Sequence, residues 1–341
     1  MSFKLTILPG DHEIEVAEDQ PLVDAAIESG LMLPYSCRDG VCGACKGKIL
    51  SGTVDYGRHG PDTLTDADKA EGLALFCCAT AKSDLVIEAR NVSRVDDIPI
   101  KKLPCRVQKL EKAAPDVMIL EVKLPATEKF AFRAGQYIDF LLPGDKRRSF
   151  SIGNGPEVQD SVELHIRHVP GGHFTDKVFT TMKERDILRF EGPLGSFFLR
   201  EDSDAPIVLL AGGTGFAPIK SIVEHAIAKG MTRPMTLYWG ARDRAGLYLS
   251  ALAEQWEKDH EWFKFVPVLS DMTPEDEWKG RTGLVHLAVV EDLPDLSGHQ
   301  VYACGAPAMI EASMADFMSQ CRLPEDQYFA DSFTFSADSQ P

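Results

Sequence analysis

Three cysteines share one nine-residue stretch, Cys37-Arg38-Asp39-Gly40-Val41-Cys42-Gly43-Ala44-Cys45, with four residues and then two between them, and an adjacent pair, Cys77-Cys78, follows much further on. Thiolates are soft metal ligands, and a loop that offers three of them must wrap closely on itself. Gly40 and Gly43 suit that wrapping, because glycine tolerates the backbone angles that turn amide N–H groups toward sulfur. Tetrahedral zinc asks for two short Cys-x-x-Cys knuckles, whereas here three ligands share one loop and the fourth, Cys77 or Cys78, is remote. Disulfides are disfavoured too. Met1 to Glu15 reads as polar-punctuated strand with no basic-then-apolar leader, so a cytoplasmic, reducing setting is expected for the thiols.

The four-then-two spacing with a distant fourth cysteine is the plant-type arrangement for a 2Fe-2S cluster. The longer stretch Pro34-Tyr35-Ser36-Cys37 through Cys45-Lys46 resembles the signature of plant-type ferredoxins fused to flavin reductases. In that family the fourth ligand lies seven residues before the Asp of the Ser-Asp pair that opens the last strand, here Ser83-Asp84, so the resemblance selects Cys77 and leaves Cys78 as packing. The implied ligand set is Cys37, Cys42, Cys45 and Cys77, on a β-grasp ferredoxin fold.

At 341 residues the chain is long enough for two or three domains. Alternating runs around Pro9-Gly10-Asp11 predict a hairpin over Lys4 to Val16, then a short helix from Pro21 to Gly30. Asn91 to Leu103 carries mixed charge, Pro99 and little periodicity, which reads as a linker. Short strands with Pro and Gly turns follow: Val117 to Val122, Gln136 to Leu141, Arg148 to Ile152, Val162 to His168 and Asp186 to Glu191. These predict a small antiparallel β-barrel. Beyond Ala205, strands at Ile207 to Ala211, Met235 to Tyr238, Phe263 to Val268 and Gln300 to Tyr302 alternate with helix-length stretches. This alternation predicts a parallel, Rossmann-like α/β sheet. The expected boundaries are 1–92, a linker 93–103, a barrel 104–202 and an α/β domain 203–341, with Ser336 to Pro341 frayed.

Arg148-Ser149-Phe150-Ser151, on a predicted barrel strand, resembles the Arg-x-Tyr-Ser motif of the ferredoxin-NADP reductase superfamily, whose barrel is six-stranded and binds FAD. The resemblance implies that Arg148 pairs with the FAD pyrophosphate, for which a guanidinium fork is suited. It implies Phe150 against the flavin ring and Ser151 donating to flavin N5, with Ser149 in the same motif. Phe150 replaces the more frequent Tyr, which keeps stacking and loses a hydroxyl. His165-Ile166-Arg167-His168 resembles the next strand, whose backbone meets the flavin. Gly171-Gly172-His173-Phe174-Thr175 resembles the turn whose amides and Thr175 hydroxyl hold phosphate. A metal among these histidines is disfavoured, since alternation separates neighbouring side chains and no carboxylate cluster accompanies them.

Gly212-Gly213-Thr214-Gly215-Phe216-Ala217-Pro218 follows a strand and opens a helix, the layout of a dinucleotide pyrophosphate site. Pro218 stands where an ordinary dehydrogenase fingerprint has a third glycine, and the segment resembles the reductase motif Gly-Gly-Thr-Gly-x-x-Pro. Cys304-Gly305-Ala306-Pro307 resembles that family's Cys-Gly-x-Pro loop, which places Cys304, Gly305 and Pro307 where nicotinamide meets flavin. Phe329-Ala330-Asp331-Ser332-Phe333 resembles its C-terminal aromatic segment, with Phe333 over the flavin. Arg242 and Arg244 offer charge for a 2′-phosphate, yet Asp243 between them opposes it. NADH is therefore expected, with NADPH the other candidate. Tyr248 suits either adenine stacking or core packing.

The order of motifs implies an oxidoreductase that passes electrons from NADH to FAD to the 2Fe-2S cluster and on to a partner protein. Within the family the chain looks most like the CDP-6-deoxy-3,4-glucoseen reductase group, which serves an iron-sulfur sugar dehydrase. Reductase components of aromatic-ring and other oxygenases are the alternative, and a redox-sensing regulatory module is a second. Thirty-six Lys and Arg against 52 Asp and Glu give a net charge of −16, which disfavours nucleic acid or an anionic membrane as partner. The first 90 residues hold 15 acidic and 8 basic side chains, a net −7 that suits docking on a basic protein surface.

Overall fold

The computed structural model describes residues 2–94, 98–144, 146–272 and 277–334. Two compact units emerge. One holds the chain up to Pro99, joined by Gly195–Phe197 and Thr334; the other holds Ile100–Leu194 and Phe198–Phe333.

In the first unit the expected hairpin forms from Ser2–Leu8 and His12–Ala17, with Gly10 and Asp11 at positive φ in the turn. It belongs to a five-stranded sheet ordered His12–Ala17, Ser2–Leu8, Leu85–Glu88, Lys46–Ser51, Leu73–Leu75, in which Ser2–Leu8 and Leu85–Glu88 run parallel and the other pairs antiparallel. The helix Leu22–Glu28 buries Leu22, Val23, Ala25 and Ala26 in a core with Leu5, Ile7, Phe76 and Ile87. This is the β-grasp arrangement.

The second unit carries two six-stranded sheets. One is antiparallel throughout, ordered Lys146–Ser151, Tyr137–Leu142, Ile187–Leu194, Lys101–Ala114, Val117–Lys123, Ser161–Arg167. A bridge between Ile152 and Leu164 joins its two ends, so the sheet closes as a barrel around Phe130, Ile138, Phe140 and Phe190. The other sheet is parallel throughout, ordered Arg281–Thr282, Phe263–Leu269, Met235–Ala241, Ile207–Gly212, Gln300–Gly305, Tyr328–Ser332.

The expected linker is shorter than composition implied. Ser93–Arg94 pairs with Leu31–Met32, and Lys101 already opens a fourteen-residue barrel strand. Charge hid that strand: Leu103, Cys105 and Val107 point inward while Lys102, Pro104 and Arg106 stay exposed, so the alternation is present but its polar half dominates the composition. Residues 95–97 and the tail 336–341 lie outside the described residues. Tyr328–Ser332, read from sequence only as an aromatic segment, is the sixth strand of the parallel sheet. Among the described residues no helix is long and apolar enough to cross a membrane.

Candidate functional site

The cysteine loop of the first unit is shaped by left-handed backbone at Arg38, Gly40 and Gly43. At Gly40 space matters as well, because a Cβ there would stand 2.7 Å from the Arg58 carbonyl oxygen and 2.9 Å from Cys78 Sγ. The remote cysteines are brought in by the helix start. Leu22 N donates to Ala79 O at 3.1 Å and Val23 N to Phe76 O at 3.0 Å, so amides with no partner inside the helix grip both sides of Cys77-Cys78. Phe76 N in turn donates to Cys45 O at 3.1 Å.

The thiols fall into two pairs. Electrostatic interaction couples Cys42 with Cys37 and Cys45 with Cys77. Amides also face sulfur: Asp39 N donates to Cys37 Sγ at 3.4 Å and Cys37 N to Cys42 Sγ at 3.5 Å. The Cys42 thiol, together with backbone amides, lowers the Cys37 thiol to about 6 against the opposing effect of burial. Cys78 Sγ sits 3.5 Å from Cys77 Sγ and packs under Gly40. Among the described residues no three His, Cys, Asp or Glu side chains converge as ligands of a single ion do. Thiols beside amides turned toward sulfur are a donor set that would fit a 2Fe-2S cluster.

In the second unit the barrel strand Lys146–Ser151 presents Arg148 and Phe150 on its half-buried face, with the Phe150 ring 5.4 Å from Phe174 and 6.0 Å from Phe140. Arg148 Nη1 donates to Arg147 O at 2.7 Å, and Ser149 Oγ donates to Asp139 Oδ1 at 2.6 Å, so Ser149 serves the sheet itself. Gly171 takes φ +82° ahead of the helix His173–Thr180. Thr175 Oγ1 accepts from Val169 N at 3.1 Å and bonds Val169 O at 2.9 Å, which turns inward the hydroxyl expected at phosphate. Ile166 is buried in the barrel core, and His168 pairs with Asp176 rather than with the other histidines.

The parallel sheet reverses strand order between Ile207–Gly212 and Gln300–Gly305, the place where such sheets open a ligand crevice at their carboxyl ends. Both glycine loops sit there. A Cβ on Gly215 would stand 2.0 Å from Cys304 O, and one on Gly305 3.1 Å from Gly212 Cα, so only glycine lets the loops meet. Gly213 takes φ +53°, and a Cβ on it would lie 2.6 Å from an Arg167 guanidinium nitrogen. Its carbonyl accepts from Trp239 Nε1 at 3.0 Å, and Phe216 stacks on Trp239 at 3.9 Å. Thr214 is buried in the turn, and Pro218 falls in the first helical turn, where a missing N–H costs nothing. Pro307 likewise opens the helix Pro307–Cys321.

Barrel and sheet then converge on a residue that the motifs did not single out. Buried Asp331 accepts from Ser151 Oγ at 3.3 Å and lies 4.0 Å from Cys304 Sγ, its register partner across the parallel ladder. Burial and then the Asp331 charge push the Cys304 thiol well up, so it stays neutral. Ser151 has one proton, and Asp331 takes it here; donation to a flavin requires the hydroxyl to rotate. A carboxylate inside an otherwise apolar strand was the available signal for Asp331. Phe333 N donates to Gly305 O at 2.8 Å, which ties the aromatic segment to the Cys304 loop.

Arg242 is exposed just past this crevice, next to Asp243, whose Oδ1 accepts from Gly246 N at 2.9 Å. Tyr248 does not extend as a free stacking platform. Its hydroxyl is 2.8 Å from His165 Nδ1 and its ring stands edge-on to Trp239 at 5.3 Å.

Comparison with known proteins covers all three regions. The 2Fe-2S iron-sulfur cluster binding domain family matches residues 5–82, the oxidoreductase FAD-binding domain family 104–199 and the oxidoreductase NAD-binding domain family 209–314. The CDP-6-deoxy-L-threo-D-glycero-4-hexulose-3-dehydrase reductase of Yersinia pseudotuberculosis is 44% identical over 312 residues, 92% of each chain. The phenol 2-monooxygenase reductase component DmpP of a Pseudomonas species is 37% identical, over 99% of this chain and 96% of its own. Among solved structures, the Amycolatopsis cytochrome P450 reductase GcoB superposes with a TM-score of 0.79 at 35% identity, covering 98% of this chain and 100% of its own. With the thiol pairs, the closed barrel and the switch-point crevice all present, the chain belongs to the family of NAD(P)H-dependent oxidoreductases that join a 2Fe-2S domain, an FAD-binding domain and an NAD-binding domain in one polypeptide.

Proposed function

We propose that this protein is an NADH-dependent reductase whose electron acceptor is a CDP-6-deoxyhexulose 3-dehydrase, so that it supplies the electrons for 3-deoxysugar formation. The observation that carries the reductase reading is the meeting of Ser151 and Cys304 at Asp331, which brings the flavin strand and the nucleotide loop to one point. The 44% identity to the Yersinia dehydrase reductase, against 37% and 35% for the phenol hydroxylase component and GcoB, favours the dehydrase over an oxygenase as acceptor. A sensor module has no need of a complete nucleotide crevice.

Bound FAD accepts a hydride from nicotinamide and releases its electrons singly, as a one-electron 2Fe-2S centre requires. The chain's residues place these groups. Cys37, Cys42, Cys45 and Cys77 would hold the cluster, in a domain spanning 1–92. Arg148, Phe150, the 165–167 backbone and the Gly171-Gly172-Thr175 turn would hold FAD in a domain spanning 104–202. Gly212 to Gly215, Pro218, Gly305 and Pro307 would hold the nucleotide in a domain spanning 203–341, with Arg242 at its ribose and Phe333 over the flavin. Asp331 orients Ser151, and burial together with the Asp331 charge keeps the neighbouring Cys304 neutral. The reduced thiols and reductase chemistry suit the cytoplasm.

The test is anaerobic. NADH should bleach the flavin of the FAD-loaded protein and NADPH should do so more slowly. Addition of the dehydrase with its CDP-hexulose substrate should then give NADH-dependent deoxysugar. An oxygenase component that takes the electrons while the dehydrase does not would overturn the choice of acceptor.

A further inference from the structure

The helix Phe216–Ala228 begins at the nucleotide turn, and its side carries Lys220, Ser221, Glu224 and His225, one and four residues apart along a single face. That face meets the residues immediately after Ser151. Lys220 Nζ donates to Gly153 O at 3.2 Å, Ser221 Oγ to Asn154 O at 2.7 Å, and Gly155 N to Glu224 Oε2 at 3.3 Å. His225 Nδ1 lies 2.5 Å from Glu157 Oε1, and its Nε2 lies 3.2 Å from Glu201 Oε1.

Lys220 is buried, at 7% exposure, between two carboxylates: Glu163 Oε1 at 3.0 Å, on the barrel strand Ser161–Arg167, and Glu224 Oε1 at 2.7 Å. Glu163 also receives His165 Nε2 at 3.0 Å, which leaves His165 Nδ1 to accept from the Tyr248 hydroxyl. Buried charge is seldom kept without a role, since an apolar interface would hold the two lobes together as well. What charge adds is register: a fork of directional bonds fixes where each lobe sits to a fraction of an ångström, which greasy contact does not.

We propose that Lys220, seconded by Ser221 and Glu224, is a positioning residue that locks the Ile152–Gly155 segment to the nucleotide helix. It thereby sets the separation between the Ser151 end of the flavin strand and the Gly212–Gly215 turn. The inference rests on the flavin and nucleotide assignments above, and adds that the two half-sites are gauged against each other from one helix face.

The test uses the full FAD-loaded protein. Lys220→Met should retain FAD and bind NAD+ within about twofold of wild type, yet reduce its flavin at least about tenfold more slowly at saturating NADH. Its KM should move little, the long-wavelength flavin–nicotinamide absorbance should weaken, and amides 152–155 should exchange hydrogen faster. A lower melting temperature with unchanged saturating rate and absorbance would overturn the proposal and leave Lys220 as a structural ion pair. Should Lys220→Met not fold, Ser221→Ala combined with Glu224→Gln should slow flavin reduction about threefold with the same spectral change, and an unchanged rate there would overturn it equally. Absence of flavin reduction in wild type would instead sink the reductase reading itself.

Discussion

The cysteine loop of the first unit and the crevice of the second are opposite ways of building a site. Three of the first unit's five cysteines sit within nine residues, and a few left-handed backbone conformations shape the loop that carries them. The crevice draws Ser151, Arg167, Gly212 to Gly215, Cys304 and Asp331 from segments up to 180 residues apart. A local site tolerates no ligand loss but depends little on distant packing. An assembled one degrades by degrees as its parts shift.

Cys42→Ser should give the largest effect: loss of the cluster's visible spectrum and of cytochrome c reduction, while ferricyanide reduction by the flavin persists. If both activities vanish with FAD still bound, the two sites are not separable in this way. Asp331→Asn should slow flavin reduction by NADH about tenfold to a hundredfold in stopped flow, with cluster absorbance and FAD content unchanged. A wild-type rate would show that the Ser151, Cys304 and Asp331 cluster is mere packing. Arg148→Ala should weaken FAD retention by about 1.5–3 kcal/mol, read as flavin content after gel filtration, if its guanidinium meets the pyrophosphate.

The smallest effect expected is on acid stability. Burial alone would raise Glu163, but hydrogen bonding from His165 and the charge of Lys220 hold its carboxyl down at about 2. A carboxylate depressed on folding stabilises at pH above its unfolded value, and that contribution fades as pH falls toward 2. Glu163→Gln should therefore lose on the order of 2–3 kcal/mol at neutral pH and almost none near pH 2. Parallel wild-type and variant curves would remove Glu163 from the interlobe network.

Legibility followed the same division. The hairpin, the barrel and the alternating strands were readable because period and turn chemistry are local, and the glycine loops because backbone freedom is written in single residues. The strand Lys101–Ala114 escaped because its exposed half is charged, and Asp331 because its meaning lies in partners from elsewhere in the chain. Thr175 was placed at phosphate by its motif, and the fold of its turn adds a bond from its hydroxyl to Val169 that the motif does not contain.

By itself the amino-acid sequence determined which cofactors this chain can hold, since ligand spacing and glycine placement are short-range chemistry. Tertiary structure decided how the half-sites meet: that Cys77 reaches Cys45 through amides of a helix start, that Gly215 abuts Cys304, and that one carboxylate serves Ser151 and Cys304. Those are distances between remote segments, and distance is a property of packing rather than of order along the chain.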